Sequence, residues 1–326
     1  MTRARTARIT RIGGPEVIEW IDTDLPEPGG GEVRMRTTVV GLNYIDTYYR
    51  RGIYPAALPT GLGVEAVGVI EALGPGVDTL KVGDRVGTFG PERGTYATAR
   101  NVAAERLFPL PDGISDEIAA AALLKGCTAE FLVDRAAQIA PGDWTLVHAA
   151  AGGVGLLLVQ WLKARGARVI GTTSNEAKAR LAREAGADEM ILYTREDTAA
   201  RVRAITGGAG VRVTYDGVGL DTWEASLDST GIRGLIVSYG NASAPVTGIS
   251  LGVLATKGSL YNTRPMLYHY YIAPEERAAG ANALWEMIRS GKVAVTIGQR
   301  YALEDAAKAH IDLEGRNTHG STLLIP

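Results

Sequence analysis

From about Arg8 to Arg106, apolar and polar residues alternate in short runs broken by Gly and Pro. The pattern predicts strands at 17–21, 32–40, 64–73, 85–88 and 96–99 in a compact, mostly β domain. From Ser115 the texture changes. Asp116 opens a capped apolar stretch through Leu124, and beyond it apolar runs alternate with helical patterns at intervals suited to a parallel sheet. Strands are predicted at 144–149, 168–172, 189–192, 211–216, 234–238 and 259–262, with helices at 153–165, 176–185, 198–206 and 222–227. Strands in this number and rhythm make a doubly wound sheet. After Arg264 the alternation stops. A helix at 274–290, a strand near 299–302, a helix at 303–313 and a last apolar strand at 322–325 follow, the last returning to the N-terminal domain.

The run from Thr145 to Gly155 joins a strand, a glycine turn and a helix without interruption. Such a turn aims backbone N–H groups at a pyrophosphate. Gly152 lets the backbone approach the phosphates, and Gly155 lets the new helix lie close to the sheet. Ala150 replaces the first glycine of the G-x-G-x-x-G fingerprint, so the order of flanking elements carries the argument. An NAD-specific site ends its next strand on Asp or Glu, which binds the ribose 2′-hydroxyl. Here the chain reads Gly171-Thr172-Thr173-Ser174-Asn175, with no carboxylate to repel a 2′-phosphate, and Lys178 follows one turn into the next helix. NADP(H) is the expected dinucleotide. The other reading makes Lys178 one more solvated helix lysine.

The chain has 326 residues, 46% hydrophobic and 21% charged, enough for two domains with sizeable cores. Its 34 Lys and Arg against 36 Asp and Glu give a net charge of −2, so no overall basic field recruits nucleic acid or an anionic membrane. No apolar run approaches the roughly 18 residues of a membrane span. Cys127 is the sole cysteine, which forbids an intrachain disulfide, fits a reducing, cytoplasmic compartment and reads as a buried inert thiol. The Arg-containing start, 2–8, has no apolar region behind it and reads as an irregular lead-in rather than a signal peptide. His148, inside an apolar strand, reads as a hydrogen-bonded core residue. His269, His310 and His319 show no metal spacing and receive no role.

The combination Gly41-Leu-Asn43-Tyr-Ile-Asp46-Thr-Tyr48, Gly52-Ile-Tyr54-Pro55, the glycine turn, Asp221-Thr-Trp223 and the tail from Gly320 to Pro326 resembles bacterial NADPH:quinone oxidoreductases. These form the zeta-crystallin-like, zinc-free branch of the medium-chain dehydrogenase/reductase superfamily. The resemblance runs over essentially the whole length. It implies an α/β protein with a GroES-like, mostly β catalytic domain from 1–127, a Rossmann NADP(H)-binding domain from 128–264, a return to the first domain over 265–326, and an active site in the cleft between domains. A catalytic zinc needs three protein ligands. Where zinc-dependent relatives carry their first Cys this chain has Asn43, and where they carry Gly-His-Glu it has Gly63-Val64-Glu65. One cysteine also excludes a four-cysteine structural site, so no metal is expected.

By the same resemblance, Asn43, Asp46 and Tyr48 line the nicotinamide side, with Tyr54 across from them, and orient the ring or hydrogen-bond a substrate carbonyl. Alternatively Asn43 and Asp46 cap a turn, and the tyrosines are half-buried packing residues. Lys125, Gly126 and Thr128 resemble a segment passing behind the cofactor, although Lys125 also suits a helix C-terminus. Gly152, Gly153, Val154 and Gly155 hold the pyrophosphate, Gly171 and Thr172 also bind the cofactor, and Ser174, Lys178 and Tyr193 surround its 2′-phosphate and adenine. Arg316 matches an arginine reaching toward the cofactor. Ser238, Tyr239 and Gly240 end the fifth strand of the sheet, where ligands lie in open α/β sheets. Arg264 contacts the nicotinamide half or fixes the domain junction by an ion pair.

The implied reaction is NADPH-dependent reduction of a quinone, by hydride or electron transfer, without zinc. Reduction of the C=C bond of a 2-alkenal or enone uses the same donor geometry. A non-catalytic NADPH or RNA binder is the rival of another class, and the lack of a basic stripe weighs against RNA. A homodimer is expected through the apolar edge strand Gly258 to Asn262.

Overall fold

The computed structural model describes residues 2–326. Two compact units emerge, one of 2–124, Ala273–Ala281 and Val295–Pro326, the other of Lys125–Ile272 and Asn282–Ala294. Their boundary lies inside one helix, Asp116–Asp134, at Leu124/Lys125 rather than 127/128. The segment 265–326, expected to return as one piece, is instead divided between the units. One reason is that Leu284, on the helix Pro274–Arg289, packs against Gly126 of the second unit.

In the first unit, strands Ile297–Ala302, Ser321–Ile325, Glu32–Leu42, Glu65–Leu73, Arg85–Phe89 and Leu107–Pro109 lie side by side in that order, with Ala99–Ala103 also on Glu32–Leu42. The last strand is antiparallel to Glu32–Leu42, with Leu324 opposite Val40. Inward residues Val33, Met35, Val40, Ala66, Ile70, Val86 and Leu324 form the core, which Ala7, Ile9 and Tyr96 also join. The N-terminus is not an irregular lead-in: Thr2–Ile9 is a strand antiparallel to Glu19–Leu25. Its inward residues include only Ala4, Ala7 and Ile9, so its alternation is too weakly apolar to register. The strand expected at 96–99 falls at Ala99–Ala103, and Ala97 makes only an isolated bridge to Thr6.

The second unit is built on six parallel strands in the order Glu189–Leu192, Arg168–Thr173, Trp144–Val147, Val211–Asp216, Thr230–Ser238 and Tyr261–Thr263. Chain order reverses on either side of Trp144–Val147, which makes its carboxyl end the topological switch point where ligands bind in open α/β sheets. Leu146, Ile170, Ile191, Val202 and Val211 are buried together beneath it. The first strand stops at Val147 because Ala149 takes a left-handed φ of 52°. The edge strand starts at Tyr261 because Gly258 and Ser259 have φ of 125° and 54°. Extended pairing requires negative φ.

Candidate cofactor and substrate sites

The glycine turn occupies the switch point of the second unit. Gly152 is the N-cap of the helix Gly153–Ala164 and supplies no side-chain cap, so the first-turn amides of Gly153, Val154 and Gly155 depend on another acceptor. A Cβ on Gly155 would collide with the Ala149 carbonyl oxygen and stand 2.8 Å from the Ala150 carbonyl carbon. The helix start therefore lies directly on the turn, and its positive dipole end is open to an anion. This bare cradle fits a dinucleotide pyrophosphate.

Gly171 is placed differently from its expected role. The space its side chain would fill holds Ala150 Cβ at 2.8 Å and Met190 Sδ at 2.7 Å, so it accommodates protein packing rather than a ligand. Past Thr173, hydrogen bonds draw together the backbone at Ser174, Lys178 and Tyr193. Asn175 caps the helix Glu176–Glu184 by accepting from the Lys178 N–H at 3.0 Å, Thr194 Oγ1 donates to the Ser174 carbonyl at 2.9 Å, and the Tyr193 N–H donates to Thr173 at 3.2 Å. Ser174, Lys178 and Tyr193 thus share one corner. No acidic side chain ends the strand, which closes on Thr172, Thr173 and Ser174.

At the adjacent strand ends, Arg264 Nη1 donates to the Ser238 carbonyl at 2.6 Å and its Nη2 reaches the Asn241 carboxamide oxygen at 3.0 Å. These bonds brace the Ser238, Tyr239 and Gly240 turn. Lys125 and Thr128 are buried within Asp116–Asp134, so Lys125 is not a surface cation at a helix end. Cys127 is buried in the same helix.

Asp216 is a buried carboxylate that spacing did not single out. It accepts from the Val218 and Gly219 N–H groups at 2.8 and 3.0 Å, from Thr222 Oγ1 and from Ser226 Oγ at 2.7 Å. The Ser226 proton is given to Asp216, so His148 Nε2 donates to Ser226 Oγ at 3.2 Å and its Nδ1 accepts from Thr172 at 3.1 Å. Burial pushes the His148 pKa down, with Asp216 opposing. The polarity is opposite to that of a nucleophilic serine. His148 is a core residue.

In the first unit, Asn43 and Asp46 form a capping box at the start of the helix Tyr44–Arg50. Asp46 Oδ2 accepts from the Asn43 N–H at 2.9 Å. Asn43 Nδ2 donates to the Gly41 carbonyl at 3.1 Å and to Glu65 Oε2 at 2.8 Å. Both amide hydrogens are committed, so the Asn43 side chain cannot donate to a substrate carbonyl. Asp46 is 0% exposed and acts from within the fold rather than as a lining residue. The tyrosines form a ladder: Tyr44 to Tyr48 at 5.6 Å, Tyr48 to Tyr54 at 5.2 Å and Tyr54 to Tyr49 at 5.8 Å between centroids. Tyr48 is buried and Tyr54 half-buried. Arg316 is exposed, at a φ of 59°, just past the helix Ala306–Glu314.

Glu65 was the carboxylate hidden in an apolar strand. Its Oε1 accepts the Leu124 N–H at 2.7 Å while Oε2 holds Asn43. Asn43 and Glu65 face each other as donor and acceptor, so they do not converge lone pairs on a cation, and the donor set does not fit a catalytic zinc. Among the described residues, no three His, Cys, Asp or Glu side chains cluster as metal ligands.

Residues 29–142 match the alcohol dehydrogenase GroES-like domain, and residues 153–270 match the zinc-binding dehydrogenase domain. The chain is 50% identical to quinone oxidoreductase of Pseudomonas aeruginosa over 99% of its own length and 100% of that protein. It belongs to the quinone oxidoreductase family. Within the medium-chain dehydrogenase/reductase superfamily, quinone oxidoreductase of Escherichia coli, solved in complex with NADPH, superposes with a TM-score of 0.97 at 46% identity, covering 99% of this chain and 100% of that one. A 2-haloacrylate reductase from a Burkholderia species is 41% identical over 98% of both chains. The zinc-binding name of the second domain carries no ligand set to this quinone oxidoreductase family member, for the reasons at Asn43 and Glu65.

Proposed function

We propose that the chain is an NADPH:quinone oxidoreductase that works without zinc. The observation that carries this reading is the pairing of an open glycine cradle with a strand end, Thr172 to Ser174, that bears no carboxylate and has Lys178 nearby. When bound, the dinucleotide supplies a hydride. Gly152, Gly153, Val154 and Gly155 hold its pyrophosphate, and Ser174, Lys178 and Tyr193 hold its 2′-phosphate and adenine. Thr172, Ser238, Tyr239, Gly240, Arg264, Lys125, Thr128 and Arg316 complete the donor's surroundings. Tyr48 and Tyr54 present ring edges to a flat acceptor, while Asn43 and Asp46 shape the helix that carries Tyr48. A quinone that takes a hydride becomes a hydroquinone anion and then needs one proton, from water or a tyrosine. That anion is stabilised by its ring, so the chain need not supply a strong general acid. Positioning then accounts for most of the rate.

The test is consumption of NADPH with 1,4-benzoquinone, followed by loss of reduced-nicotinamide absorbance; no turnover, or turnover with NADH alone, refutes the reading. Reduction of an enone C=C bond is the second reading, favoured by the likeness to 2-haloacrylate reductase. Turnover of a 2-alkenal beside the quinone separates the two.

We also propose a cytoplasmic twofold dimer. Tyr261–Thr263 is an open sheet edge, and Tyr261 and Ile232 are 64% and 77% exposed beside it. The single, buried Cys127 suits a reducing compartment, and no described helix is long and apolar enough to cross a membrane. Equilibrium sedimentation that finds only monomer at micromolar concentration removes the dimer.

A further inference from the structure

Four side chains that the proposed reaction does not use directly run in one line through the first unit. Arg50 Nη1 lies 2.7 Å from His310 Nδ1, His310 Nε2 lies 3.0 Å from the Tyr96 hydroxyl, and that hydroxyl lies 3.0 Å from Asp46 Oδ2. Asp46, Tyr96 and His310 are wholly buried and Arg50 nearly so. At its outer end Arg50 also donates to Glu314 Oε2 at 2.6 Å and to the Gly13 carbonyl at 3.1 Å.

Hydrogen positions follow from chemistry. A guanidinium only donates, so His310 Nδ1 is the acceptor and the imidazole proton sits on Nε2. Nε2–H then donates to the Tyr96 oxygen, which leaves the single Tyr96 proton for Asp46. Every bond in the line points the same way, from Arg50 to Asp46. Burial first, and Arg50 second, push the His310 pKa down to about 3, so the order of donors holds at neutral pH.

Asp46 and Arg50 are one turn apart on the helix Tyr44–Arg50, near its two ends, and both belong to the line. Tyr44 and Tyr48 are also one turn apart, but two residues out of step with the first pair, hence about 200° around the helix. One face is pinned by the line, and the other carries the tyrosine ladder in which Tyr54 packs on Tyr48. An apolar core would bury this helix equally well, whereas a buried line of hydrogen bonds running in one direction restricts its rotation and depth.

We propose that Arg50, His310 and Tyr96 are positioning residues for acceptor reduction, setting the orientation of the helix that carries Tyr48. The proposal rests on the quinone reductase reading above. A shift of the order of an ångström at a reacting site costs up to about 100-fold in rate. Tyr96→Phe, nearly equal in volume, removes the proton that holds Asp46. It is expected to lower kcat/KM for 1,4-benzoquinone by about 10-fold or more, while the NADPH Kd, read by fluorescence titration, stays within about 2-fold. His310→Gln keeps both an acceptor and a donor and is expected to recover most of the wild-type rate, whereas His310→Leu does not. If Tyr96→Phe and His310→Leu melt at lower temperature but keep wild-type kcat and quinone KM, the line serves stability alone and the inference is overturned. Equal rates for His310→Gln and His310→Leu overturn it too, and remain informative should Tyr96→Phe fold poorly. A wild-type protein that binds NADPH but reduces no quinone instead overturns the underlying reading, and this inference with it.

Discussion

Gly155 lies against the carbonyl oxygen of Ala149 so closely that the fold leaves no room there for a methyl group. The oxygen cannot easily retreat, because Ala149 already holds a left-handed φ of 52°. Replacing a helical glycine by alanine ordinarily gains up to about 1 kcal/mol. Here the sign reverses. Gly155→Ala is expected to cost about 1–3 kcal/mol in urea unfolding, as overpacking does, and to weaken NADPH by tenfold or so as the cradle opens. Gly152→Ala, whose Cβ would stand 3.2 Å from the same oxygen, should cost less stability. A Gly155→Ala protein as stable as wild type contradicts this account of the turn.

Lys178 stands one turn beyond Ser174, at a strand end without a carboxylate. A charge-assisted hydrogen bond to phosphate contributes about 1.5–3 kcal/mol, so Lys178→Ala should raise the NADPH Kd by roughly 10- to 100-fold. NADH, lacking the 2′-phosphate, should be unaffected. Paired fluorescence titrations decide the matter: no loss for either nucleotide would make Lys178 a solvated helix residue, and equal losses would place it away from the 2′-phosphate.

Tyr48 offers the ladder's buried ring and a hydroxyl. A quinone yields a weakly basic hydroquinone anion, and a simple enone a much more basic enolate. Tyr48→Phe should therefore lower kcat for 1,4-benzoquinone by less than about tenfold, and for a 2-alkenal by about 100-fold if that hydroxyl is the proton donor. Losses of the same size for both acceptors would assign Tyr48 to packing.

His148 and His310 are buried with lowered pKa values, so between the ordinary imidazole value of 6.5 and about 3 for His310 the unfolded chain binds more protons than the folded one. The contribution of His310 to stability is complete above pH 6.5 and declines as the pH falls toward 3, by up to about 1.4 kcal/mol per pH unit, and His148 adds a loss of the same sign on acidification. Arg50, Tyr96, Asp46 and, through Arg50, Glu314 surround His310. His310→Gln should flatten the slope of urea stability between pH 6.5 and 5. An unchanged slope would mean that His310 does not titrate on unfolding.

The glycine turn was legible because strand, turn and helix are contiguous, and the chemistry of each residue is expressed within a few positions of its neighbours. Other elements were harder to read. The strand Thr2–Ile9 was missed because alanine contributes little hydrophobic contrast at two of its inward positions. The edge strand starts at Tyr261 rather than at Ser259, because the left-handed φ at Ser259 has no sequence mark. Asn43 reads as a donor to substrate in the sequence, but Glu65 and Gly41 take both of its amide hydrogens in the fold. In the sequence Glu65 stands out only as the last residue of Gly63-Val64-Glu65, in which Val64 replaces the His of zinc-dependent relatives. His310 offered no spacing to anything, since its partners Arg50 and Tyr96 lie 260 and 214 residues away.

Contiguous residues determined the alternation of strands and helices, the bare phosphate cradle and the absence of an acid at the ribose end, because each depends on local backbone geometry and on which side chains are present. Tertiary packing alone decided which polar groups meet in the interior. A buried hydrogen bond needs distance, direction and exclusion of water together, and those arise only when strands and helices distant in the chain are pressed into one core.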